Sequence, residues 1–463
     1  MAVVNRLWIT DLPKATFHPP ALSTDVEADG ATALPWVLLE TQAYVADRRN
    51  ATTACTVSRC GKTEVQVTLC VDAPPRVSYI CVFCRATSAG RRGQEEERAE
   101  DMICTEPEIM DTEGDLVLLR VALGSREAMR YETYEHDLFV YRPGGREGPS
   151  LTLLERPPDG HAFRSDEVGL LSCPSSANHG EVGGHDGSSF SSSSYMVAAL
   201  CQPKFRLERD LFDLYLYNSK HETWTMTTAS VHEHQLQHHQ QEGGYLFHLN
   251  TKVIALGGED DTIAFVDLWR GILLCDLRHV QQNPRLRYIQ LPEEPRIEED
   301  RFDVNDARLS RDIAVVDGRI KCVRMGHQRI ENSWVYVAAS WSRTAATSLE
   351  EDAWQMDYDI EFANMDVSYT TQFELLPKPR GYRRMRGPVP PFKGLSLMQP
   401  TLGLQDGDAT VCFMVNVNYD HGKALMVISV DMVKNKLQRV VQFHAKRYIP
   451  VGVAYMQKVA KNG

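Results

Sequence analysis

Residues 262–277 read Thr-Ile-Ala-Phe-Val-Asp-Leu-Trp-Arg-Gly-Ile-Leu-Leu-Cys-Asp-Leu. Six residues rich in β-formers run up to Asp267, a short break Leu-Trp-Arg-Gly follows at 268–271, and Ile272–Cys275 is apolar again. Neither half carries a helical period, and the break is bracketed by Asp267 and Gly271, residue types that favour tight turns. The stretch is read as a β-hairpin. In an extended segment Phe265, Asp267 and Trp269 share one side, and Val266 and Leu268 the other. Asp267 can hydrogen-bond the turn backbone, Gly271 can supply a positive φ, and Trp269 can stack on a neighbouring sheet.

The same grammar recurs along the chain. Asp213–Tyr217 leads through a polar turn to Trp224–Met226. His136–Tyr141 leads through Arg-Pro-Gly-Gly145 to Ser150, and Ala424–Asp431 through Met-Val-Lys-Asn435 to Lys436. Asp317-Gly318 and Asp406-Gly407 each sit between apolar runs, where a two-residue hairpin turn needs positive φ at both positions. Counting all such runs gives roughly two dozen strands. The expected fold is therefore all-β, a single β-propeller of about six four-stranded antiparallel blades with long polar loops. Trp36–Leu39 and Tyr448–Tyr455 are placed to share a blade and close the ring. Two separate β-sandwiches are the alternative, but no clean linker divides the chain. Residues 36–456 are taken as the propeller-like domain, 1–33 as an unpacked N-terminal arm, and 175–194 as a flexible Gly/Ser-rich loop.

Composition narrows the function classes. The chain has 463 residues, 43% hydrophobic and 24% charged, with a net charge of −12. Phosphate backbones reward clustered Lys and Arg, so no nucleic-acid partner is expected. No run approaches the roughly eighteen uninterrupted apolar residues of a spanning helix, so no membrane partner is expected either. The N-terminus lacks a secretory pattern and the 11 cysteines are irregularly spaced. Reduced thiols in the cytoplasm, with the nucleus as an alternative and secretion excluded, follow from that.

Motifs for chemistry are sparse. His232, His234, His238, His239 and His248 form a His-rich tract, but it lacks the His-Glu-x-x-His spacing of a zinc helix and reads first as a solvated loop. Cys81-Val-Phe-Cys84 lies in an apolar strand, where residues three apart face opposite sides, and reads as two buried thiols. Lys378, Arg380, Arg383, Arg384 and Arg386, with Tyr382 among them, form a basic loop. The acidic run 293–300 reads as a solvated face. No nucleophile elbow, phosphate loop or dinucleotide turn is present, so no catalytic residue, cofactor or metal site is assigned.

The block Phe265–Leu277, followed by Leu286–Pro292, resembles a plant family greatly expanded in grasses and catalogued as a domain of unknown function, number sixteen-eighteen. Trp36–Leu39 with Tyr44–Thr53 resembles the usual opening of that family. The resemblance runs from about Trp36 to Tyr455, with its signature region about 264–400. It implies a cereal-type plant protein and no known activity. The blade grammar is also similar to the domains that follow plant F-boxes, although residues 1–35 are too short and broken for an F-box. The signature residues Asp267, Trp269, Arg270, Gly271, Cys275 and Asp276 are read as structural first and as binding contacts second. The functional expectation is a non-enzymatic scaffold binding a protein or peptide through loops on one face. The alternatives are a small-molecule or carbohydrate site at a central channel, and metal binding through the His tract.

Overall fold

The computed structural model describes residues 12–22, 34, 36–87, 102–124, 135–145, 148–173, 194–203, 211–231, 247–258, 261–280, 284–293, 297, 306–330, 333–345, 353–367, 374–376, 378, 391–404, 407, 409–416, 425–443 and 453–457. Within them the protein is all-β: 26 strands, with helix confined to short 3-10 turns such as Lys14–Phe17 and Ala307–Leu309. Among the described residues no helix is long and apolar enough to cross a membrane.

The strands fall into sets that follow the chain. The first sheet contains Trp36–Glu40, Tyr44–Val45, Ala54–Val57, Thr63–Cys70, Val77–Ala86 and, from the far end of the sequence, Val453–Gln457. Glu108–Glu113, Leu116–Leu123, Glu135–Arg142 and Ser150–Leu153 form the second sheet in simple up-and-down order. The third set is Val168–Cys173, Ser194–Cys201, Leu211–Asn218 and Thr223–Val231; the fourth is Lys252–Gly257, Thr262–Asp267, Gly271–Asp276 and Arg285–Gln290. Their outermost strands touch in a short parallel pairing, Ser230–Val231 against Arg285–Leu286, so the two sets read as one eight-stranded sheet. Arg311–Val316, Arg319–Ile330, Ser333–Thr344 and Gln355–Glu361 make the fifth sheet, and Ser396–Leu402, Thr410–Asn416, Leu425–Asp431 and Lys436–Phe443 the sixth set.

The recurrent units are hairpins as read. Tyr217 pairs with Trp224, Asp267 with Gly271, Asp431 with Lys436 and Arg142 with Ser150. Asp317 and Gly318 take φ of 52° and 67° between the paired residues Val316 and Arg319, the two left-handed positions such a turn requires. The second Asp-Gly turn is longer than expected. Leu402 pairs with Val411, and the Gly403 amide donates to the Thr410 carbonyl at 2.8 Å, so the connection spans 404–409. Asp406 lies outside the described residues.

Alternation along each strand feeds two cores. Every residue of Thr262–Asp267 is buried. Ile263 and Phe265 point into a core shared with Leu214 and Ala198 of the third set; Ala264 and Val266 point into one shared with Ile313 and Ile320 of the fifth. Two-sided burial explains why the sequence reads as apolar runs and not as alternation. The other cores repeat this. Val67 and Leu119 join the first and second sheets, Leu118 and Val197 the second and third, and Val323 and Phe413 the fifth and sixth. Trp36 and Leu38 meet Cys412 and Val427, which joins the sixth set back to the first. Trp36–Glu40 pairs antiparallel with Val453–Gln457 over five residues.

The leading strands of successive sets also touch one another, and Val453–Gln457 touches Glu108–Glu113. A polar network ties these strands together. The Leu170 amide donates to Asp111 Oδ2 at 2.7 Å, Lys252 Nζ donates to Asp312 Oδ1 and to the Ile313 carbonyl at 2.7 Å each, and the Leu402 amide donates to Asp312 Oδ2 at 3.0 Å.

Residues 12–22 are not an unpacked arm. Leu12 and Phe17 rest on the first core, Thr16 is buried, and Tyr79 Oη donates to the Pro20 carbonyl at 2.6 Å. The apolar side chains between the prolines give this segment a surface worth burying. Cys81 and Cys84 are both buried and enter different clusters, as expected for residues on opposite faces.

Candidate functional site

Asp267 organises one end of the fourth set. Its carboxylate is fully buried. Oδ1 accepts from the Trp269 amide at 2.9 Å; Oδ2 accepts from the Leu249 amide and from Arg270 Nη1, both at 3.0 Å. A buried carboxylate survives only with such partners. The residue therefore fixes the Leu268–Arg270 turn and ties it to the segment that leads into Lys252–Gly257. Arg270 in turn lies over the Phe247 ring at 4.7 Å, a cation–π contact.

Trp269 stacks across sheets. Arg311 of the fifth sheet places its guanidinium 4.6 Å above the indole and donates to the Leu268 carbonyl at 2.8 Å. After the turn begins, strict alternation ends, and Trp269 joins Val266 and Leu268 on the fifth-sheet side instead of following Phe265. Gly271 departs from the expected reason for a glycine. It does not have a positive φ. A Cβ there would lie 2.4 Å from Tyr288 Oη and 2.5 Å from the Ile289 carbonyl, so close approach of the next strand is what demands glycine. Cys275 and Asp276 sit at the opposite end of the strand, roughly 16 Å away at ~3.3 Å per residue. Cys275 is core, its thiol pushed up to about 12 by burial. Asp276 accepts from Thr262 Oγ1 at 2.8 Å and Arg287 Nη2 at 3.0 Å.

Asp267, Trp269 and Arg270 open onto a cavity of about 360 Å³. Its other walls come from the approach to Val168, the end of Ser194–Cys201, the His248–Thr251 segment and the turn before Arg311. These are all places where a leading strand begins or its neighbour ends, so one end of the third, fourth and fifth sets converges here. The walls are polar and pre-paired. Arg164 donates from Nε and Nη2 to Asp166 at 2.9 and 2.5 Å. Arg308 donates to Asp306 at 3.0 and 2.8 Å. Such bidentate pairs hold a guanidinium in one orientation. The arginine side chains keep 70%, 38% and 44% of their surface at Arg164, Arg308 and Arg270 respectively.

His248 is the buried back wall. Asn250 Nδ2 donates to the Leu200 carbonyl at 2.8 Å, which leaves Asn250 Oδ1 to accept from His248 Nε2 at 3.0 Å. The Phe265 backbone also faces the ring and, with Asn250, favours a proton on it. Burial, opposed by the nearby Asp267 carboxylate, pushes the imidazole down to about 4, so it is neutral at pH 7. Gln202 Nε2 donates to the His248 carbonyl at 2.9 Å and completes the link between the third and fourth sets. Of the histidines read as a tract, the structure describes His248. His232, His234, His238 and His239 lie outside the described residues, as do Arg380, Tyr382, Arg383, Arg384 and Arg386.

Sequence reasoning missed Arg164, Asp166, Glu167, Asn250, Asp306 and Arg308. A usable signal exists: Arg-Ser-Asp-Glu167 and Asp306-Ala-Arg308 are short charged turns immediately before apolar strands. Pairs two apart look like ordinary loop charge until the fold brings three such turns together.

Residues 265–412 match the model of a family described as "Protein of unknown function (DUF1618)", which bears out the resemblance read from Phe265–Leu277. No curated protein matches the chain. Among solved structures, one from Parabacteroides distasonis, described as a "putative glycoside hydrolase", is similar at 10% identity over 92% of this chain and 96% of that one. Its TM-score is 0.18, a superposition too loose to carry an inference.

Proposed function

We propose that this chain, a DUF1618 family member over residues 265–412, is a six-bladed β-propeller acting as a non-enzymatic scaffold, and that its cleft takes a charged stretch of a protein or peptide. The ring is supported by six cores that each join consecutive sets and return from the last to the first; two sandwiches would leave two cores. The eight-stranded sheet is then two blades touching at their rims.

One observation carries the binding reading. Three arginines from three loops, each already gripped by an aspartate, face a shared hollow beside Trp269. Their carboxylate partners leave the walls with mixed charge, which suits a segment bearing both signs more than a simple anion. Trp and Arg are the residue types that anchor such contacts. The alternative, a small-molecule or carbohydrate site, is favoured by the cavity's size. Against hydrolysis, the carboxylates of Asp166, Glu167, Asp267 and Asp306 all accept hydrogen bonds from arginine or backbone N–H groups, whereas glycoside hydrolysis needs a protonated carboxyl aimed at the leaving oxygen. None of the 11 cysteines is in a disulfide, which supports a reducing compartment, cytosol or nucleus.

Selection from a random peptide library against the full chain tests the reading. Enriched peptides should carry both charges and lose at least about tenfold in affinity against Arg308→Ala and Trp269→Ala, but bind Arg439→Ala unchanged. Peptides indifferent to both cleft substitutions, or glycoside cleavage abolished by Asp166→Asn, overturn it.

A further inference from the structure

Beside the cleft, three side chains of metal-ligating type converge, and we infer that His161, Glu167 and Cys201 hold a zinc ion there. One ligand atom from each lies within 4.8 Å of the other two. Cys201 Sγ and Glu167 Oε2 are 3.8 Å apart. Zinc–sulfur bonds of about 2.3 Å and zinc–oxygen or –nitrogen bonds of about 2.0–2.2 Å put tetrahedral ligands roughly 3.3–3.7 Å apart. Side-chain rotation of about an ångström brings the widest pair to that spacing.

The three positions are fixed by independent contacts. The His161 ring stacks on Tyr215 with centroids 5.0 Å apart and 30° between planes, and Phe163 lies 5.1 Å away. The Arg164 amide donates to Glu167 Oε2 at 2.9 Å, an outer hydrogen bond of the kind that orients ligating carboxylates. The Leu200 amide donates to the Glu167 carbonyl at 3.0 Å, which sets Cys201 directly beside Glu167. Cys201 is buried, and His161 and Glu167 are partly exposed. A thiolate, an imidazole and a carboxylate make a donor set that suits zinc over magnesium or calcium. Glutamate and thiolate together balance the ion's two charges, so the loaded site is neutral next to Arg164. Binding releases the thiol proton to solvent. Three protein ligands leave a fourth position for water or for a donor group of a bound partner. Glu167 also lines the cleft, so the ion sits at its rim. Sequence spacing hides the set: His161 and Glu167 belong to the connection before Val168–Cys173, and Cys201 ends the following strand.

Titration of the chelator-stripped full chain with Co²⁺, read by absorption, is the test. One ion per chain should give thiolate-to-cobalt charge-transfer absorption that Zn²⁺ displaces. Cys201→Ser should abolish it and Glu167→Gln should weaken binding at least about tenfold. His238→Ala with His239→Ala should leave it intact. Circular dichroism and melting in chelator, matching the parent, show that the variants fold. No charge-transfer band, a band surviving Cys201→Ser, or a band lost only in the tract variant each overturn the site. Peptide affinity measured in chelator separates this outcome from the reading of the cleft.

Discussion

Gly169→Ala probes how closely the leading strands approach one another. Gly169 lies in Val168–Cys173, and its added methyl carbon would fall 2.4 Å from Val253 Cγ1, 2.8 Å from Val253 Cβ and 3.0 Å from Asp111 Oδ2. Carbon atoms rest about 3.5–4.0 Å apart, so the overlap exceeds about an ångström. Val253 is 4% exposed and has no open space to retreat into. Overpacking of this kind costs about 1–3 kcal/mol. Val253→Ala alone costs a similar ~1–3 kcal/mol through the void it leaves. Combined, the new methyl occupies part of that void. The double variant should be more stable than the sum of the singles by about 1–2 kcal/mol. Urea denaturation of all four proteins measures the coupling. Gly318→Ala is the control: its φ is 67° and nothing lies within 4 Å of the added carbon. It should cost about 1–2 kcal/mol from backbone strain alone and show no coupling to Val253→Ala. Additivity of Gly169→Ala with Val253→Ala within about 0.5 kcal/mol would refute the close approach of the third and fourth sets at their leading strands.

Asp267→Ala removes a charged acceptor from two backbone amides and Arg270; at about 1.5–3 kcal/mol for each bond to a charged group, discounted for water reaching Leu249, the loss is about 3–5 kcal/mol. Faster amide exchange at Leu249 and Trp269 checks it, with Asp267→Asn intermediate. Burial pushes the Asp111 carboxyl up to about 8, against the Leu170 amide that favours its charged form. A raised carboxyl binds its proton more tightly in the folded state, so stability is full below about pH 4 and is lost as pH rises toward about 8; Asp111→Asn should flatten that slope in urea melts across the range. Alkylation of the native protein should label the exposed Cys55 and Cys60 and spare Cys84 and Cys275, whose thiols burial pushes up to about 12; mass spectrometry of the digest reads the sites, and early labelling of Cys275 would contradict its place in the core.

The fold was largely legible because its information is local. Asp317-Gly318 specifies its own turn, and apolar runs such as Thr262–Asp267 announce strands buried on both faces. The closing pair was legible in part: Trp36–Leu39 and Tyr448–Tyr455 read as sharing a blade, and the pairing falls on Trp36–Glu40 with Val453–Gln457. The candidate site was half legible. Asp267, Trp269 and Arg270 stand out because they sit in the block that carries the family resemblance. Arg164, Asp166 and Arg308 do not, since their partners lie two residues away and the hollow between them exists only after three sets are assembled. The reason for Gly271 was out of reach for the same cause: Tyr288, which excludes a side chain there, belongs to the next strand.

Because Val453–Gln457 completes the sheet that Trp36–Glu40 begins, synthesis imposes an order on assembly. Five sets can form as the ribosome delivers them, while Trp36–Glu40 waits with an unsatisfied edge until Val453–Gln457 has emerged. Through that interval the nascent protein exposes a template for mispairing. Truncation, slow elongation or stalling just before Val453 would therefore be far more damaging than equal errors in the middle, and chaperone occupancy should concentrate on residues 36–40.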